Sequence, residues 1–183
     1  MNNNYLKIIL SSTIFSSAIG FMAPFLNLYL IQKAGISNYG YLVGGMLLAG
    51  AIASYFTGVF SDTFGRKFPL IFSHFFTACI IVGYLFTTSL AGLYLMQILL
   101  GILSAAELTL SMSLLGDFSS VANRGHHIGL YNALSGAVMG IMVIIGGSLV
   151  SKGVSIIFII SASLICISGS LLTTVILNNI SKI

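Results

Sequence analysis

The chain has 183 residues, of which 57% are hydrophobic and only 5% are charged. A soluble domain carries about 25% charged residues because its surface faces water, so this composition excludes a soluble enzyme or binding module. The net charge of +4 is spread over single or paired basic residues, and without a basic stripe it does not indicate nucleic-acid binding.

Six apolar segments follow one another along the chain. A helix needs about 20 mostly apolar residues to cross a hydrocarbon core about 30 Å thick. Helices are favoured over a β-barrel because the apolar runs are long and do not alternate with polar residues. The predicted spans cover approximately residues 6–30, 39–60, 69–87, 91–115, 128–150 and 154–177. We therefore expect an all-α, single six-helix transmembrane domain over residues 1–183, with the lipid bilayer as its surroundings.

The basic residues predict the orientation of these spans, since loops on the cytoplasmic side carry an excess of Lys and Arg. With the N-terminus inside, only Lys33 and Lys152 fall in outer loops. The inner ends then carry Lys7, Arg66, Lys67, Arg124 and Lys182. Both termini are therefore predicted to be cytoplasmic.

The connection between the second and third spans reads GVFSDTFGRKFPL. Asp62 and Arg66 are four residues apart, the spacing at which opposite charges meet on one helical turn. Gly58 is expected to let two helices approach closely, and Gly65 to permit a sharp turn. Pro69 suits the first turn of the next helix. The residues alone leave open whether this loop is only a determinant of topology or also a functional element.

This loop resembles the signature loop of the major facilitator superfamily, which has the pattern Gly-x-x-x-Asp-x-x-Gly-Arg-Arg/Lys between the second and third helices. The segment NRGHHIGLYNALSG is similar to the entry into the fifth helix of that family. The matching residues of the loop are Gly58, Asp62, Gly65, Arg66 and Lys67. The resemblance implies the N-terminal six-helix half of a transporter in the plasma membrane, built as a 3+3 inverted repeat.

Three features depart from the family pattern. Gln97 stands where many members carry an Arg in the fourth helix, and Met142 and Val143 replace the Gly-Pro of the drug-antiporter branch. The chain also contains one six-helix half, whereas the family places its substrate between two halves. We leave three alternatives open: a homodimer, a complex with a second six-helix half, and a fragment of a longer chain.

Glu107 is the only acidic residue inside a predicted span. A charged carboxylate near the bilayer centre costs at least about 2.5–3.5 kcal/mol, so we expect Glu107 to face a cavity or a partner. Gln97, Ser104 and Ser111 lie on the same broad side of the fourth span, and Asn27 belongs to a weaker polar stripe in the first. The resemblance implies that these two helices line the cavity. Our hypothesis is that Glu107 binds a proton or the cationic part of a substrate, and the alternative is a packing role.

Asp117 and Arg124 flank the connection between the fourth and fifth spans. We expect them to join Asp62 and Arg66 in a cytoplasmic charge cluster that acts as a latch. The alternative is an ordinary exposed pair that contributes about 0–1 kcal/mol. His74 in the third span is interpreted as a packing histidine.

The sequence contains no phosphate-binding loop and no His, Cys or carboxylate cluster with metal-ligand spacing. No nucleophile stands near a base in a catalytic pattern. We therefore expect no cofactor, no metal and no catalytic residues. The resemblance implies secondary active transport of a small molecule by alternating access, driven by an ion or solute gradient. Glu107 makes a proton the first expectation among the coupling ions. The alternative is a truncated or degenerate half that acts only as a non-transporting assembly partner.

Overall fold

A computed structural model describes residues 3–117 and 123–180 of the chain. Within these ranges the chain forms six α-helices, a short 3₁₀ turn at Val150–Lys152, and no strand. The helices are α1 Asn3–Ala34, α2 Ile36–Phe64, α3 Lys67–Phe86, α4 Leu90–Asp117, α5 Arg124–Leu149 and α6 Val154–Ile180. All six are long and apolar enough to cross a membrane. The expected all-α fold with six transmembrane helices is confirmed.

The helices extend beyond most of the predicted apolar segments. α2, for example, begins at Ile36 and ends at Phe64, whereas the predicted span covers residues 39–60. Polar residues at the helix ends continue the backbone hydrogen-bonding pattern outside the apolar run, so hydropathy alone underestimates helix length. Lys182 lies outside the described residues. The limits of the membrane-embedded part within each helix stay predictions.

Glycines make the tight turns that separate the first three helices. Gly35 follows α1 with φ +80°, and Gly65 follows α2 with φ +86°, in a region that residues with a Cβ rarely adopt. The amide of Gly65 donates to the carbonyl oxygen of Ser61 over 3.1 Å. Pro69 then stands in the first turn of α3. The sharp turn expected at Gly65 is therefore present between α2 and α3.

The helices pack in a regular set of pairs. α1 packs against α5 and α6, α4 packs against α2 and α3, and α3 packs against α6. Exchanging the first three helices with the last three reproduces the same pairs, as an inverted repeat requires. The inversion itself and the cytoplasmic location of the termini stay predictions.

α2 and α5 are the least buried helices. In the apolar stretch of each helix, only 17% of the residues of α2 and 11% of those of α5 are buried, against 39–44% in the other four helices. Large apolar side chains such as Tyr41 and Ile52 of α2 and Ile141 and Ile144 of α5 are exposed. These two helices therefore present apolar side chains outwards, and we name the exposed sides of α2 and α5 together the α2–α5 face.

Helices α2 and α4 approach most closely at two glycines. A Cβ on Gly101 would overlap the carbonyl oxygen of Met46, and a Cβ on Gly50 would lie 3.1 Å from the carbonyl oxygen of Gly101. The close contact expected at Gly58 is not seen among the described residues, since none of their atoms lies within 4 Å of the position of a Cβ there. That expectation is wrong for the described part of the chain, because no described residue packs against α2 at the position of Gly58.

The interior changes character along the bundle. Where α1 ends and α4 begins, the centre is apolar and aromatic, with Phe21, Leu30, Tyr84, Leu93 and Phe158 fully or almost fully buried. Towards the other end of the bundle, the buried residues of α1, α3, α4 and α6 include serines, a histidine and a glutamate. The polar part of the interior is where the candidate site lies.

Candidate functional site

Arg66 connects the α2–α3 turn to the end of α4. Its Nη2 donates to Oδ1 of Asp62 over 2.9 Å, as the four-residue spacing predicts. Its Nη1 donates to Oδ2 of Asp117 and, over 3.2 Å, to the carbonyl oxygen of Ser113. We name Asp62, Arg66 and Asp117 the ion cluster. The hydrogen bond to Asp62, followed by that to Asp117, raises the pKa of Arg66 above its ordinary value.

The other residues expected at the latch lie around this cluster. Lys67 and Gly65 line an open cavity of about 620 Å³ together with Asp62, Arg66 and Asp117. Arg124 donates to the carbonyl oxygen of Gly116 over 3.4 Å and forms no ion pair within the described residues. The structure thus brings three of the four expected charges together, and Arg124 contacts backbone instead.

Glu107 is buried inside the bundle and is only 3% exposed. Its Oε1 accepts a hydrogen bond of 2.7 Å from the hydroxyl of Ser111, one helical turn further along α4. The same hydroxyl lies 2.8 Å from the hydroxyl of Ser12 on α1. The carboxyl therefore faces polar groups of the protein interior and neither lipid nor the α2–α5 face.

His74 of α3 is fully buried on the other side of this carboxyl. Its Nε2 lies 3.8 Å from Oε1 of Glu107, and its Nδ1 lies 2.8 Å from the hydroxyl of Ser168 on α6. The ring stacks on Phe15 of α1 with a centroid separation of 4.5 Å. Ser168 and Ser11 each donate to the carbonyl oxygen of the other, over 2.8 and 2.9 Å. These contacts fix the ring between α1, α4 and α6.

Four helices therefore contribute to one buried polar cluster. Its members are Ser11 and Ser12 of α1, His74 of α3, Glu107 and Ser111 of α4, and Ser168 of α6. A carboxyl and an imidazole in this arrangement can bind, hold and exchange a proton. Within the described residues no group of three His, Cys, Asp or Glu side chains is placed to hold a metal ion.

The predicted candidates divide into those that contact Glu107 and those that do not. Ser111 contacts it directly. Ser104 lies one turn away, and its buried hydroxyl has no hydrogen-bond partner among the described residues. Gln97 lies ten residues, or about 15 Å, away along α4, where its Oε1 accepts 3.0 Å from the hydroxyl of Tyr84. Asn27 is exposed on α1.

His74 is the functional candidate that sequence reasoning placed among the packing residues. It is buried as expected, but its Nε2 has no hydrogen-bond partner among the described residues and is directed at Glu107. The signal in the sequence is the presence of two ionisable residues in consecutive spans. Only the register of α3 against α4 reveals that they meet. Tyr131 of α5 is also buried, and its hydroxyl lies 3.1 Å from the hydroxyl of Ser16 on α1.

Six apolar helices, a charge-paired turn between the second and third, and a buried acid together define a multi-pass membrane protein of transporter type. The sequence matches the Major Facilitator Superfamily over residues 8–180, and the chain belongs to this family. It is an integral, multi-pass membrane protein, and the family is one of transporters, not enzymes. The relatives also support the expected location in the plasma membrane.

Several curated proteins resemble the chain. An uncharacterised transporter of this superfamily from Methanocaldococcus jannaschii is 30% identical over 133 residues, which is 72% of this chain and 34% of the relative. The tetracycline resistance protein, class H, of Pasteurella multocida is 29% identical over 150 residues, 80% of this chain and 36% of the relative. An uncharacterised transporter of the superfamily from Bacillus subtilis is 29% identical over 119 residues, which is 63% of this chain and 29% of the relative. The chain spans about a third of the length of these relatives.

Proposed function

We propose that the chain is one six-helix half of a secondary active transporter, which moves a small molecule by alternating access and is coupled to protons at Glu107. Membership of the family and the transporter relatives support membrane transport in general. The observation that carries proton coupling is the burial of Glu107 among polar groups of four helices.

Burial favours a proton over a cationic substrate as the ligand of Glu107. The carboxyl is 3% exposed although no second half covers this chain, so a bulky cation has no access to it in this conformation. A proton needs no such access, because it moves between hydrogen-bonded groups. A protonated carboxyl also avoids the cost of an isolated charge in an apolar region. Glu107 is therefore the proton site of the proposal, and Ser111 is the group that orients it.

The α2–α5 face is where we place the partner of this half. Its exposed apolar side chains suit either lipid or a second helical bundle, and a transporter of this family has its substrate between two bundles. The partner is a second copy of the chain or a second six-helix half. Asn27, which is exposed on α1, is the proposed substrate contact on this side, whereas Gln97 is paired with Tyr84 and serves the interior.

The ion cluster is the proposed latch. Arg66 ties the α2–α3 turn to the end of α4, so any movement that separates these two helix ends must break one of its contacts. Alternating access requires the bundle to open and close at this level. Asp117 is the contact that has to break, since Asp62 lies on the same turn as Arg66 and moves with it.

Reconstitution into liposomes tests the proposal. A relative is named for tetracycline resistance, so tetracycline is the first probe, followed by a fluorescent lipophilic cation. The chain is reconstituted alone and with the protein encoded beside it, and a pH gradient is imposed. Accumulation that an uncoupler abolishes supports the proposal. Native mass spectrometry on the same preparation distinguishes a homodimer from a complex with a second half.

The competing function is a non-transporting assembly partner. The family match does not favour it. A strictly monomeric chain that moves no probe, alone or with its neighbour, would establish this alternative and end the transport proposal.

A further inference from the structure

Polar residues of α3 and α4 meet at two places in the buried contact between these helices. At one end Nε2 of His74 lies 3.8 Å from Oε1 of Glu107. At the other end the hydroxyl of Tyr84 donates to Oε1 of Gln97 over 3.0 Å. Ten residues separate the ends on each helix, about 15 Å at 1.5 Å per residue. The two contacts fix the register of the antiparallel pair.

This register brings two further hydroxyls to the same level. Thr77 lies three residues after His74 on α3, and Ser104 lies three residues before Glu107 on the antiparallel α4. Both hydroxyl oxygens are buried, and neither has a hydrogen-bond partner among the described residues. A buried hydroxyl without a partner is costly, and a water molecule with several polar neighbours relieves that cost. Nε2 of His74 is a third unpartnered group one turn away.

The contacts of His74 allow the tautomer in which Nε2 accepts the proton. The hydroxyl of Ser168 has one hydrogen, which it donates to the carbonyl oxygen of Ser11 over 2.8 Å. With that hydrogen placed on Ser11, Nδ1 of His74 is the donor in its 2.8 Å contact with this hydroxyl, and this is the tautomer that the proposal uses. The neutral ring consequently has its lone pair on Nε2, the atom directed at Glu107.

We propose that His74 and Glu107 share one proton, and that this proton is exchanged with water along the α3–α4 contact past Thr77 and Ser104. This inference rests on the proposed proton coupling and names its route, which runs inside the wall of the bundle and separately from the substrate. In the sharing step, Nε2 of His74 and the carboxyl of Glu107 first close from 3.8 Å to hydrogen-bond distance. The O–H bond of Glu107 then breaks and an N–H bond forms at Nε2 of His74. The pair keeps the same total charge, as a buried pair requires.

The surroundings of the pair contain few other groups that could take this role. Within the described residues, α5 presents Tyr131, which is 2% exposed and lies 3.1 Å from the hydroxyl of Ser16. α1 presents Ser12 and Phe15, and α6 presents Ser168, none of which titrates in the usable pH range. His74 is thus the partner with which Glu107 exchanges a proton.

The composition of the chain makes the test direct. Glu107 is the only glutamate, and Asp62 and Asp117 are the only aspartates. Protein labelled with carboxyl-¹³C glutamate therefore reports the protonation of Glu107 by NMR without any knowledge of the substrate. The titration is run on the wild type and His74→Gln, with His126→Gln as the control at an exposed histidine.

We expect the carboxyl ¹³C signal of Glu107 to respond to pH differently in His74→Gln and in the wild type, because the carboxyl loses the imidazole 3.8 Å away. His126→Gln should titrate like the wild type. An unchanged midpoint in a folded His74→Gln overturns the shared proton. If that variant does not fold, the reciprocal measurement is made on ¹⁵N-histidine-labelled Glu107→Gln. The pH response of the His74 signals must then differ from that of the wild type. An unchanged response overturns the proposal.

The proposed proton route past Thr77 and Ser104 is tested by the rate at which Glu107 gains or loses its proton. Thr77→Val with Ser104→Ala removes both unpartnered hydroxyls and nearly preserves volume. After a pH jump, the infrared band of the protonated Glu107 carboxyl should respond at least tenfold more slowly. The control, Thr109→Val with Ser163→Ala, removes hydroxyls that bond to their own helices. Equal rates in the two double variants overturn the route. Both readouts hold whether or not the chain transports, so failure of the proposed function is seen separately.

Discussion

The Nε2 atom of His74 lies 3.8 Å from the Oε1 atom of Glu107, and neither side chain is more than 4% exposed. Under the proposal that the two groups share one proton, the buried pair has no net charge. The pair is held from four helices, so any movement of α3 or α6 relative to α1 and α4 changes the environment of Glu107. Under the proposed proton coupling, such a change of environment is how helix movement would control the binding of the proton.

Removing one partner of the buried hydrogen bond between Tyr84 and Gln97 should cost more stability than removing both partners. Tyr84→Phe leaves the amide oxygen of Gln97 without its donor, so we expect a loss of about 1 kcal/mol in the free energy of unfolding. Adding Gln97→Leu removes the orphaned amide and should recover most of that loss. Thermal unfolding in detergent measures both variants. A double variant less stable than Tyr84→Phe alone would show that the amide has another essential role.

Gly101 should tolerate no side chain. Gly101→Ala forces its Cβ against the carbonyl oxygen of Met46, and we expect a destabilisation of about 1–3 kcal/mol as α2 moves away from α4. Gly58→Ala is the matched control on α2, where a Cβ meets no described atom within 4 Å. It should leave stability unchanged or raise it by up to about 1 kcal/mol. The prediction fails if the two substitutions have equal effects on the unfolding temperature.

The ion cluster should respond to salt more than to pH. Its two carboxylates are 70% and 55% exposed, so Asp117→Asn should cost only about 0–1 kcal/mol, and the cost should disappear at high ionic strength. Lys152→Gln, at an exposed turn, is the control for a general effect of charge. A loss of stability that persists at high salt would contradict this account.

The direction in which pH changes the stability contributed by the ion cluster follows from the pKa of Arg66. Because its pKa is raised, its contribution is complete below the pKa of the unfolded chain and is lost only as pH rises through the folded value. That window lies above the range in which membrane proteins are handled. Moderately alkaline pH should therefore leave the difference between the wild type and Asp117→Asn unchanged, as pH-dependent thermal unfolding can verify.

The two cysteines should behave as lipid-facing groups. Cys79 and Cys166 are free and exposed, and they line an apolar cleft of about 630 Å³ between α3 and α6. Hydrocarbon suppresses the reactive thiolate, so a water-soluble maleimide should label neither in intact membranes. Both should react after denaturation, and Ser151→Cys at the α5–α6 turn should react at once. Labelling of the native cysteines in membranes would place this face in water.

Hydropathy and charge spacing predicted much of the fold. The six apolar runs correctly predicted six helices, and the four-residue spacing of Asp62 and Arg66 correctly predicted their ion pair. These features are local, since each depends on residues close together in the chain. The contact of Arg66 with Asp117 was expected only as part of a larger cluster, and Arg124 does not take part within the described residues.

The buried polar cluster could be predicted only in part, because it depends on how helices are registered. Glu107 and Ser111 share a helical turn, so their contact follows from spacing. The partnership with His74 depends on the register of α3 against α4, which hydropathy does not encode. Gln97 was expected on the side of Glu107, but ten residues rotate it by about 80° towards Tyr84.

Proton coupling at Glu107 is tested most directly by comparing two modes of transport in one variant. Glu107→Gln preserves the shape of the side chain and the hydrogen bond from Ser111. In liposomes that contain the transported probe, we predict that this variant still exchanges labelled for unlabelled probe, while accumulation driven by a pH gradient is abolished. Gradient-driven accumulation equal to that of the wild type would contradict the account.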